Sequence, residues 1–464
     1  MTDAVAIPKG DLKGDLRALF ACPRELWIAY VAKFFESIGL FSLLYTVTLW
    51  LSTDYGMTDL QAGWWFGTFS TLLTVMTFFV GFFADWAGFR NTLIFAFASA
   101  AIARGTMAFA TTRGVALFGL MFLTFGTAMG VPVLTTAIRR YTTERARPFG
   151  FSLYYALMNV GAAAAGYLLD VVRGHFRDPV TSKMVPKMVH FGPFGDRMMT
   201  AYGMIFFVGL LCAILAFAAS VFLRKGIDAE AEEKQLVEPV GEKKNPFTIF
   251  VSVVRERAFW RFMLFVGLLV MVKLIYQHYH ATWPKYVLRE MGEAFPLGKV
   301  TMINPIIIIF LVPVVTAITK RFDVFKTILF GSVVSSLSVF ILCFGASYVT
   351  IIGMVVVLSF GEALWLPRLY EYTAVIAPRG RESSYMSLSA LPMFFAKMIV
   401  GPMGGYLLTQ YCPEKGPRNS SMMWFIIGMT TIIGPILIFF LRGVIEGKKK
   451  KAEAPVVLVP AAGE

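Results

Sequence analysis

The stretch Gly81-Phe82-Phe83-Ala84-Asp85-Trp86-Ala87-Gly88-Phe89-Arg90 decides the fold. It lies between two long apolar runs, and its pattern is glycine, three residues, aspartate, two residues, glycine, one residue and arginine. A connection this short leaves its acid and its base close to both neighbouring runs. The two glycines allow helices to approach closely, as small residues do inside membranes. We therefore expect a tight polar turn between two membrane helices.

The apolar runs repeat along all 464 residues, which are 57% hydrophobic and 16% charged, with a mean hydropathy of +0.66. A helix needs about 20 apolar residues to cross a bilayer, and a helix satisfies its own backbone polar groups in lipid. The sequence predicts an all-α membrane protein with 12 transmembrane helices, at 26–51, 62–84, 91–111, 115–138, 149–171, 201–224, 258–288, 298–319, 325–346, 349–372, 384–408 and 422–442.

Basic residues are distributed unevenly between the two sides of these helices. Segments and helix ends on the side of the N-terminus hold 27 of the 43 Lys and Arg residues, and those on the other side hold 11. The positive-inside rule places both termini in the cytoplasm, where anionic membrane lipid would attract the tail Lys448–Lys451. Topology thus accounts for the net charge of +14, and nucleic acid is not an expected partner.

The chain divides at a polar segment that six predicted helices precede and six follow. The tetrapeptide Gly-Tyr-Leu-Leu occurs at 166–169 and again at 405–408, which favours two related halves. An external loop is expected at 172–200. The predicted units are a cytoplasmic leader at 1–25, a six-helix bundle at 26–224, a cytoplasmic linker at 225–257, a second six-helix bundle at 258–442 and a cytoplasmic tail at 443–464.

Residue patterns of enzymes are not recognisable in this sequence. The four cysteines have no paired spacing, and His278 and His280 are two residues apart, so they cannot share a helix face. No nucleophile and base pair, metal cluster or phosphate loop is evident. We therefore expect no catalytic residue, no metal and no cofactor.

Ionisable side chains inside the predicted helices are functional candidates, because charge at membrane depth is costly. Lys33 and Glu36 are three residues apart and share one helix face, either for a function or as a self-neutralising pair that sets helix packing. Glu362 has no partner at i+3 or i+4, and an unpaired buried carboxylate can carry a proton. The alternative is that Lys33, Lys273 or Lys397 neutralises Glu362 permanently.

Together, the 12 helices, the central linker and the opening stretch resemble the major facilitator superfamily of transporters over nearly the whole chain. The resemblance implies secondary active transport by alternating access, with a solute site at mid-membrane between two halves. It also implies a cytoplasmic latch made of Gly81, Asp85, Gly88 and Arg90, in which Asp85 meets the helix N-terminus near Ser383.

Within the superfamily, the proton-dependent oligopeptide transporter branch is distantly similar. The similar stretches are Phe151–Gly161, Asn304-Pro305 with Pro313, Gly361-Glu362, and Glu36. That branch has a Glu-x-x-Glu-Arg motif in its first helix, where the aligned residues here are Lys33, Glu36 and Ser37. Its following tyrosine pair corresponds to Leu40 and Phe41, and its basic residue in the fourth helix falls near Pro132-Val133.

These departures remove the groups that would clamp the carboxylate of a peptide, so we expect a solute that is not a peptide. The excess of cationic over anionic side chains in the helices favours an anionic or zwitterionic small molecule. A proton is the expected coupling ion, because Glu36 and Glu362 are carboxylates at membrane depth. The candidates for solute binding or proton coupling are Lys33, Glu36, Asn159, Lys273, Tyr276, Gln277, Glu362 and Lys397.

Two further arginines have distinct expectations. Arg368 and Glu371 share one helix face and are predicted to form an inner gate. Arg104 has no partner on its own helix, so it could snorkel outward, line the cavity or pair across helices. The expected location is a cell membrane. The alternative function is that of a non-transporting membrane receptor or scaffold with the same fold, and a membrane enzyme ranks last.

Overall fold

The computed structural model describes residues 12–143, 145–192, 195–224, 229, 255, 257–319, 322–376 and 391–446. Within these ranges, nine helices are long and apolar enough to cross a membrane. We refer to residues 12–224 as the first half and to residues 257–446 as the second half.

The first half contains seven helices and one strand pair. Its helices are α1 (Leu12–Phe20), α2 (Arg24–Thr53), α3 (Asp59–Ala87), α4 (Phe89–Ala108), α5 (Arg113–Tyr141), α6 (Arg147–Phe176) and α7 (Ala201–Val221). Threonine side chains cap the N-termini of α5 and α7. The Thr112 hydroxyl accepts a hydrogen bond from the Val115 backbone N–H, and the Thr200 hydroxyl accepts one from that of Gly203.

The second half contains helices of more varied length. They are α8 (Arg257–Ala281), α9 (Trp283–Met291), α10 (Leu297–Thr301), α11 (Ile303–Thr319), α12 (Val324–Ser338), α13 (Tyr348–Ile376), α14 (Leu391–Tyr411), α15 (Ser420–Phe440) and α16 (Arg442–Glu446). The predicted helix 258–288 is interrupted at Thr282, just before Pro284. The predicted helix 325–346 continues after α12 as a 3₁₀ helix at Val339–Phe344.

One part of the fold differs from the all-α expectation. Residues 172–200 do not form a simple loop, because α6 continues to Phe176 and strands β1 (Lys187–His190) and β2 (Asp196–Met199) then pair as an antiparallel hairpin. His190 lies opposite Asp196 and contacts its carboxylate. Side chains of β1 alternate between exposed and half-buried, the period-2 pattern of a strand.

Small residues bring the helices together within each half. A methyl group at Gly126 of α5 would lie 2.5 Å from the Ala96 carbonyl oxygen of α4, and one at Gly361 of α13 would lie 2.4 Å from the Ser335 hydroxyl of α12. In lipid the hydrophobic effect does not drive helices together, so close approach of their backbones stabilises the packing through van der Waals contact. The two halves meet most extensively between α3 and α14.

Candidate functional site

A buried ion pair occupies the middle of α2. Lys33 Nζ donates to Glu36 Oε2 at 2.8 Å, and the Lys33 side chain is fully buried. The same ammonium lies 5.1 Å from the centre of the Tyr154 ring of α6, a cation–π distance. Glu36 Oε1 is buried and has no hydrogen-bond partner among the described residues. The pair therefore keeps one carboxylate oxygen open to a further donor.

Arg104 of α4 is buried beside this pair rather than turned outward. Its guanidinium fits against two glycines: a methyl group at Gly39 of α2 would lie 2.7 Å from Arg104 Cζ, and one at Gly209 of α7 would lie 3.1 Å from Arg104 Cδ. Arg104 is also within electrostatic reach of Glu36. The first half thus surrounds one carboxylate with two buried cations.

The second half holds its carboxylate in a different way. Asn304 of α11 donates to Glu362 Oε2 at 3.0 Å and to the Ser359 hydroxyl at 2.9 Å. Tyr45 of α2 and Tyr276 of α8 lie close enough to interact electrostatically with Glu362. Among the described residues, no salt bridge reaches this carboxylate, so an amide and not a cation holds it.

Two further ammonium groups lie in the second half, and one of them contacts the first half. Lys273 Nζ is 5.9 Å from the Trp365 ring centre, and Lys397 Nζ donates to the Thr74 hydroxyl of α3 at 3.1 Å. Lys273 and Lys397 are within electrostatic reach of each other. Lys397 therefore bridges the halves instead of neutralising Glu362.

An ion network joins the halves at the end of the molecule that carries the strand hairpin, here called the hairpin end. Asp59, at the start of α3, accepts from Lys285 at 2.9 Å and from both terminal nitrogens of Arg289 at 2.7 and 2.8 Å. Arg173 of α6 pairs with Glu293 at 2.7 Å. The fork of Arg289 on Asp59 is the strong, directional form of such a contact.

Backbone contacts close the same end. A methyl group at Gly63 of α3 would lie 2.2 Å from the Gly401 carbonyl oxygen of α14, and one at Gly298 would lie 1.9 Å from the Gly166 carbonyl oxygen. Asp170 also accepts hydrogen bonds from the Gly298 and Lys299 backbones at 2.7 and 2.8 Å. Two glycine crossings and three acidic side chains therefore hold the halves together here.

The family model described as Major Facilitator Superfamily matches residues 29–324, well over half of the chain. The protein belongs to the major facilitator superfamily. Its members are solute transporters and not enzymes, so this major facilitator is an integral multi-pass membrane protein for solute transport. No curated protein matches the sequence significantly.

Solved structures with the same fold include several transporters. A POT family transporter in complex with a thioalcohol-conjugated peptide has a TM-score of 0.71 at 15% identity, over 92% of this chain and 97% of its own. A POT family transporter in complex with 5-aminolevulinic acid gives 0.68 at 15% identity, over 92% and 97%. The nucleoside transporter NupG gives 0.70 at 12% identity, over 90% and 99%. These identities show the fold alone.

Only part of the predicted latch of this major facilitator belongs to the described residues. The side chains of residues 81–86, including that of Asp85, lie outside the described part of the chain, as does the predicted docking segment around Ser383. Gly88 has a φ of 76°, a left-handed value that favours glycine, where α3 gives way to α4. Arg90 donates to the Val221 carbonyl at 2.7 Å, at the C-terminal end of α7 in its own half. The latch between the halves stays a prediction.

The remaining predicted residues have varied surroundings. Arg368 is buried and donates to the Thr319 hydroxyl of α11 at 3.1 Å, whereas the Glu371 side chain is outside the description. Asn159 donates to the Tyr155 carbonyl of its own helix at 2.9 Å. Gln277 is partly exposed on α8.

Sequence reasoning missed the hairpin-end network and Tyr154. Asp59 and its partners Lys285 and Arg289 are separated by 226 and 230 residues, so only the fold reveals the contact. A local signal existed, because Lys285 and Arg289 are four residues apart on the polar face of a short amphipathic helix. Tyr154 lay within the stretch Phe151–Gly161 but carried no charge to attract notice.

Proposed function

We propose that this protein is a secondary active transporter that moves a small anionic or zwitterionic solute, not a peptide, by proton-coupled alternating access. In this proposal 12 transmembrane helices form two six-helix bundles, 26–224 and 258–442, joined by a cytoplasmic linker at 225–257. The leader 1–25 and the tail 443–464 are also cytoplasmic, in a cell membrane.

One observation carries the proposal: cations from both halves lie within the long apolar helices and outnumber the described carboxylates there. Lys33 and Arg104 of the first half are buried, and Lys273 and Lys397 of the second half are half-buried. Ionisable groups at such depth are rare and mark solute or ion pathways. Because Glu36 and Glu362 balance only part of this charge, an anionic group on the solute would complete it.

The expectation that the solute is not a peptide follows from the first helix. Where the peptide branch has Glu-x-x-Glu-Arg, the Lys33 ammonium here is engaged by Glu36, and the Ser37 hydroxyl donates to the Lys33 carbonyl at 2.8 Å. Neither position offers a free guanidinium to a peptide carboxylate. A smaller solute that contacts Lys273 and Lys397 fits this arrangement better.

Proton coupling is assigned to Glu362 in preference to Glu36. A charged carboxylate without a cation is costly in a low-dielectric site, and protonation removes that cost. Asn304 can hydrogen-bond either form of the acid. Glu36 has Lys33 at 2.8 Å, so loss of its charge would strand an ammonium.

The conformation supports alternating access as a mechanism. Ion pairs and glycine crossings hold the hairpin end shut, and opening it would have to break the contacts of Asp59 with Lys285 and Arg289. At the opposite end, Asp85, Arg90, Arg368 and Glu371 are the proposed counterpart, and they would engage when the hairpin end opens. The hairpin end faces outward in this orientation.

The experiment is a thermal-shift screen of the purified protein against anionic, zwitterionic, cationic and neutral solutes at two pH values, since ligands stabilise the state they bind. Stabilising solutes are then tested for uptake into proteoliposomes with and without a pH gradient that is acidic on the outside. Accumulation that requires the gradient supports the proposal. Stabilisation without flux for any solute would instead favour the receptor or scaffold alternative.

A further inference from the structure

A cavity lies under the strand hairpin of the first half, and none of the central charged residues lines it. Its volume is about 280 Å³, and its lining includes Trp50, Asp54, Tyr55, Phe109, Arg197 and Thr200. Every lining residue belongs to residues 50–203, so the cavity is formed by the first half alone. Pockets for drug-sized ligands begin at about 300 Å³, so this space suits a molecule of amino-acid size.

The cavity carries one carboxylate that lacks a cation. Asp54 follows α2 directly, and its Oδ2 accepts from the Thr200 hydroxyl at 2.6 Å. Within the described part of the chain, no basic side chain pairs with it. Burial raises the pKa of Asp54 to about 6, and the Thr200 hydroxyl only partly opposes this. A ligand ammonium would supply the missing positive charge.

The lining of the cavity also carries one guanidinium that has no anionic partner among the described residues. Arg197 of β2 lies with its Cζ 5.9 Å from the Phe109 ring centre, a cation–π contact that fixes its position. The neighbouring Asp196 is engaged by His190 across the strand pair. No salt bridge involves Arg197 among the residues described. Asp54 and Arg197 thus face one cavity with opposite charges and do not pair with each other.

We propose that this hairpin cavity is a second ligand site, separate from the central solute site, and that it binds a small zwitterion of amino-acid size. The ligand ammonium contacts Asp54 and its carboxylate contacts Arg197, while the apolar body lies against Trp50 and Phe109. Two separated, unpaired charges of opposite sign select a molecule with both charges over one with either alone. Since one half builds the site, binding does not depend on how the halves are arranged.

Isothermal titration calorimetry on the purified full-length protein tests the proposal. The zwitterions are L-alanine and γ-aminobutyrate, which differ in charge separation, and the single-charge analogues are L-alaninamide and propionate. We expect saturable binding of at least one zwitterion and binding about tenfold weaker or worse for both analogues, because each lacks one charge-assisted contact. Asp54→Asn and Arg197→Gln should each weaken zwitterion binding by a similar factor.

A control variant distinguishes a direct contact from other effects. Asp196→Asn removes a charge next to Arg197 but outside the cavity, and the titration of the zwitterion should be unchanged in it. The proposal is overturned if neither zwitterion binds, or if Asp54→Asn and Arg197→Gln bind as the wild type does. It is equally overturned if Asp196→Asn abolishes the binding.

Discussion

Glu36 and Glu362 are carboxylates at membrane depth in opposite halves, and their partners differ in charge. Glu36 contacts the Lys33 ammonium at 2.8 Å and lies near Arg104. Glu362 accepts a hydrogen bond from the Asn304 amide at 3.0 Å. The first carboxylate therefore balances neighbouring cations, whereas the second can become neutral without leaving a cation unpaired.

This difference suggests separate roles for the two carboxylates, protein stability for Glu36 and proton coupling for Glu362. A buried ion pair stabilises little relative to an apolar core, yet removal of one partner is strongly destabilising. A carboxylate held by an amide loses little when it is protonated, because its partner is neutral. Substitution of Glu36 or its partners should therefore mainly affect stability, and substitution of Glu362 should mainly affect coupling.

The largest effect is expected from Lys33→Met, which leaves the Glu36 carboxylate buried without its ammonium. Breaking such a pair costs about 3–5 kcal/mol in the free energy of unfolding. The measurement is chemical or thermal unfolding of the purified protein in micelles. Lys33→Met with Glu36→Leu should recover part of the loss, because the unpaired carboxylate is gone although Arg104 still loses its nearby anion. A double variant no more stable than Lys33→Met would contradict the assignment.

The next effect concerns transport by Glu362→Gln. With one proton per solute, a pH gradient of about 2 units, acidic on the outside, can drive about hundredfold accumulation inside, since each pH unit is a factor of ten. The variant should lose this accumulation while it still exchanges solute across the membrane, as Gln keeps the hydrogen bond with Asn304. The measurement is gradient-driven uptake beside counterflow, using a solute identified by thermal shift.

Asn304→Asp provides a matched comparison for that variant, because it changes the partner of Glu362 from an amide to a second acid. Like charges at this distance favour a shared proton, so coupling should shift to higher pH instead of disappearing. Gradient-driven accumulation by Glu362→Gln equal to the wild type would show that Glu362 does not carry the proton.

The sequence was sufficient for the family, for the predominantly helical membrane fold and for the first-half pair. Helical spacing placed Lys33 and Glu36 on one face, and they form the pair; the family expected from Gly81–Arg90 is confirmed by the family match. Contacts that depend on tertiary packing could not be predicted from the sequence. These are the ring of Tyr154 over Lys33, and Asp59 with its partners some 230 residues away. Local spacing carries no information about which helices become neighbours.

Arg104 offers a smaller test of the charged cluster. Gly39→Ala would place a methyl group 2.7 Å from the buried guanidinium, while Gly209 limits its retreat on the other side. Overpacking of this kind costs about 1–3 kcal/mol. Gly267→Ala is the matched control, because a methyl group there would meet nothing within 4 Å, and we expect it to be neutral or slightly stabilising. Equal unfolding midpoints for the two variants would contradict the confinement of Arg104.

The smallest expected effect extends the comparison to Asp54, a carboxylate outside the membrane helices that is held by a hydroxyl. Burial raises its pKa to about 6 in the folded protein, from 3.8. The folded state therefore binds more protons than the unfolded state between these values, so stability falls as pH rises from about 4 to about 6 and is level above.

Asp54→Asn removes this titration. Relative to the variant, the wild type should lose on the order of 1 kcal/mol across that range, because partial exposure reduces the full value of the shift. Unfolding midpoints of both proteins from pH 4 to 7.5 give the difference. A difference that is constant with pH would mean that Asp54 is solvated like an ordinary surface acid. The expectation that a buried carboxylate without a cation binds protons more tightly would then fail at Asp54, where it is easiest to measure.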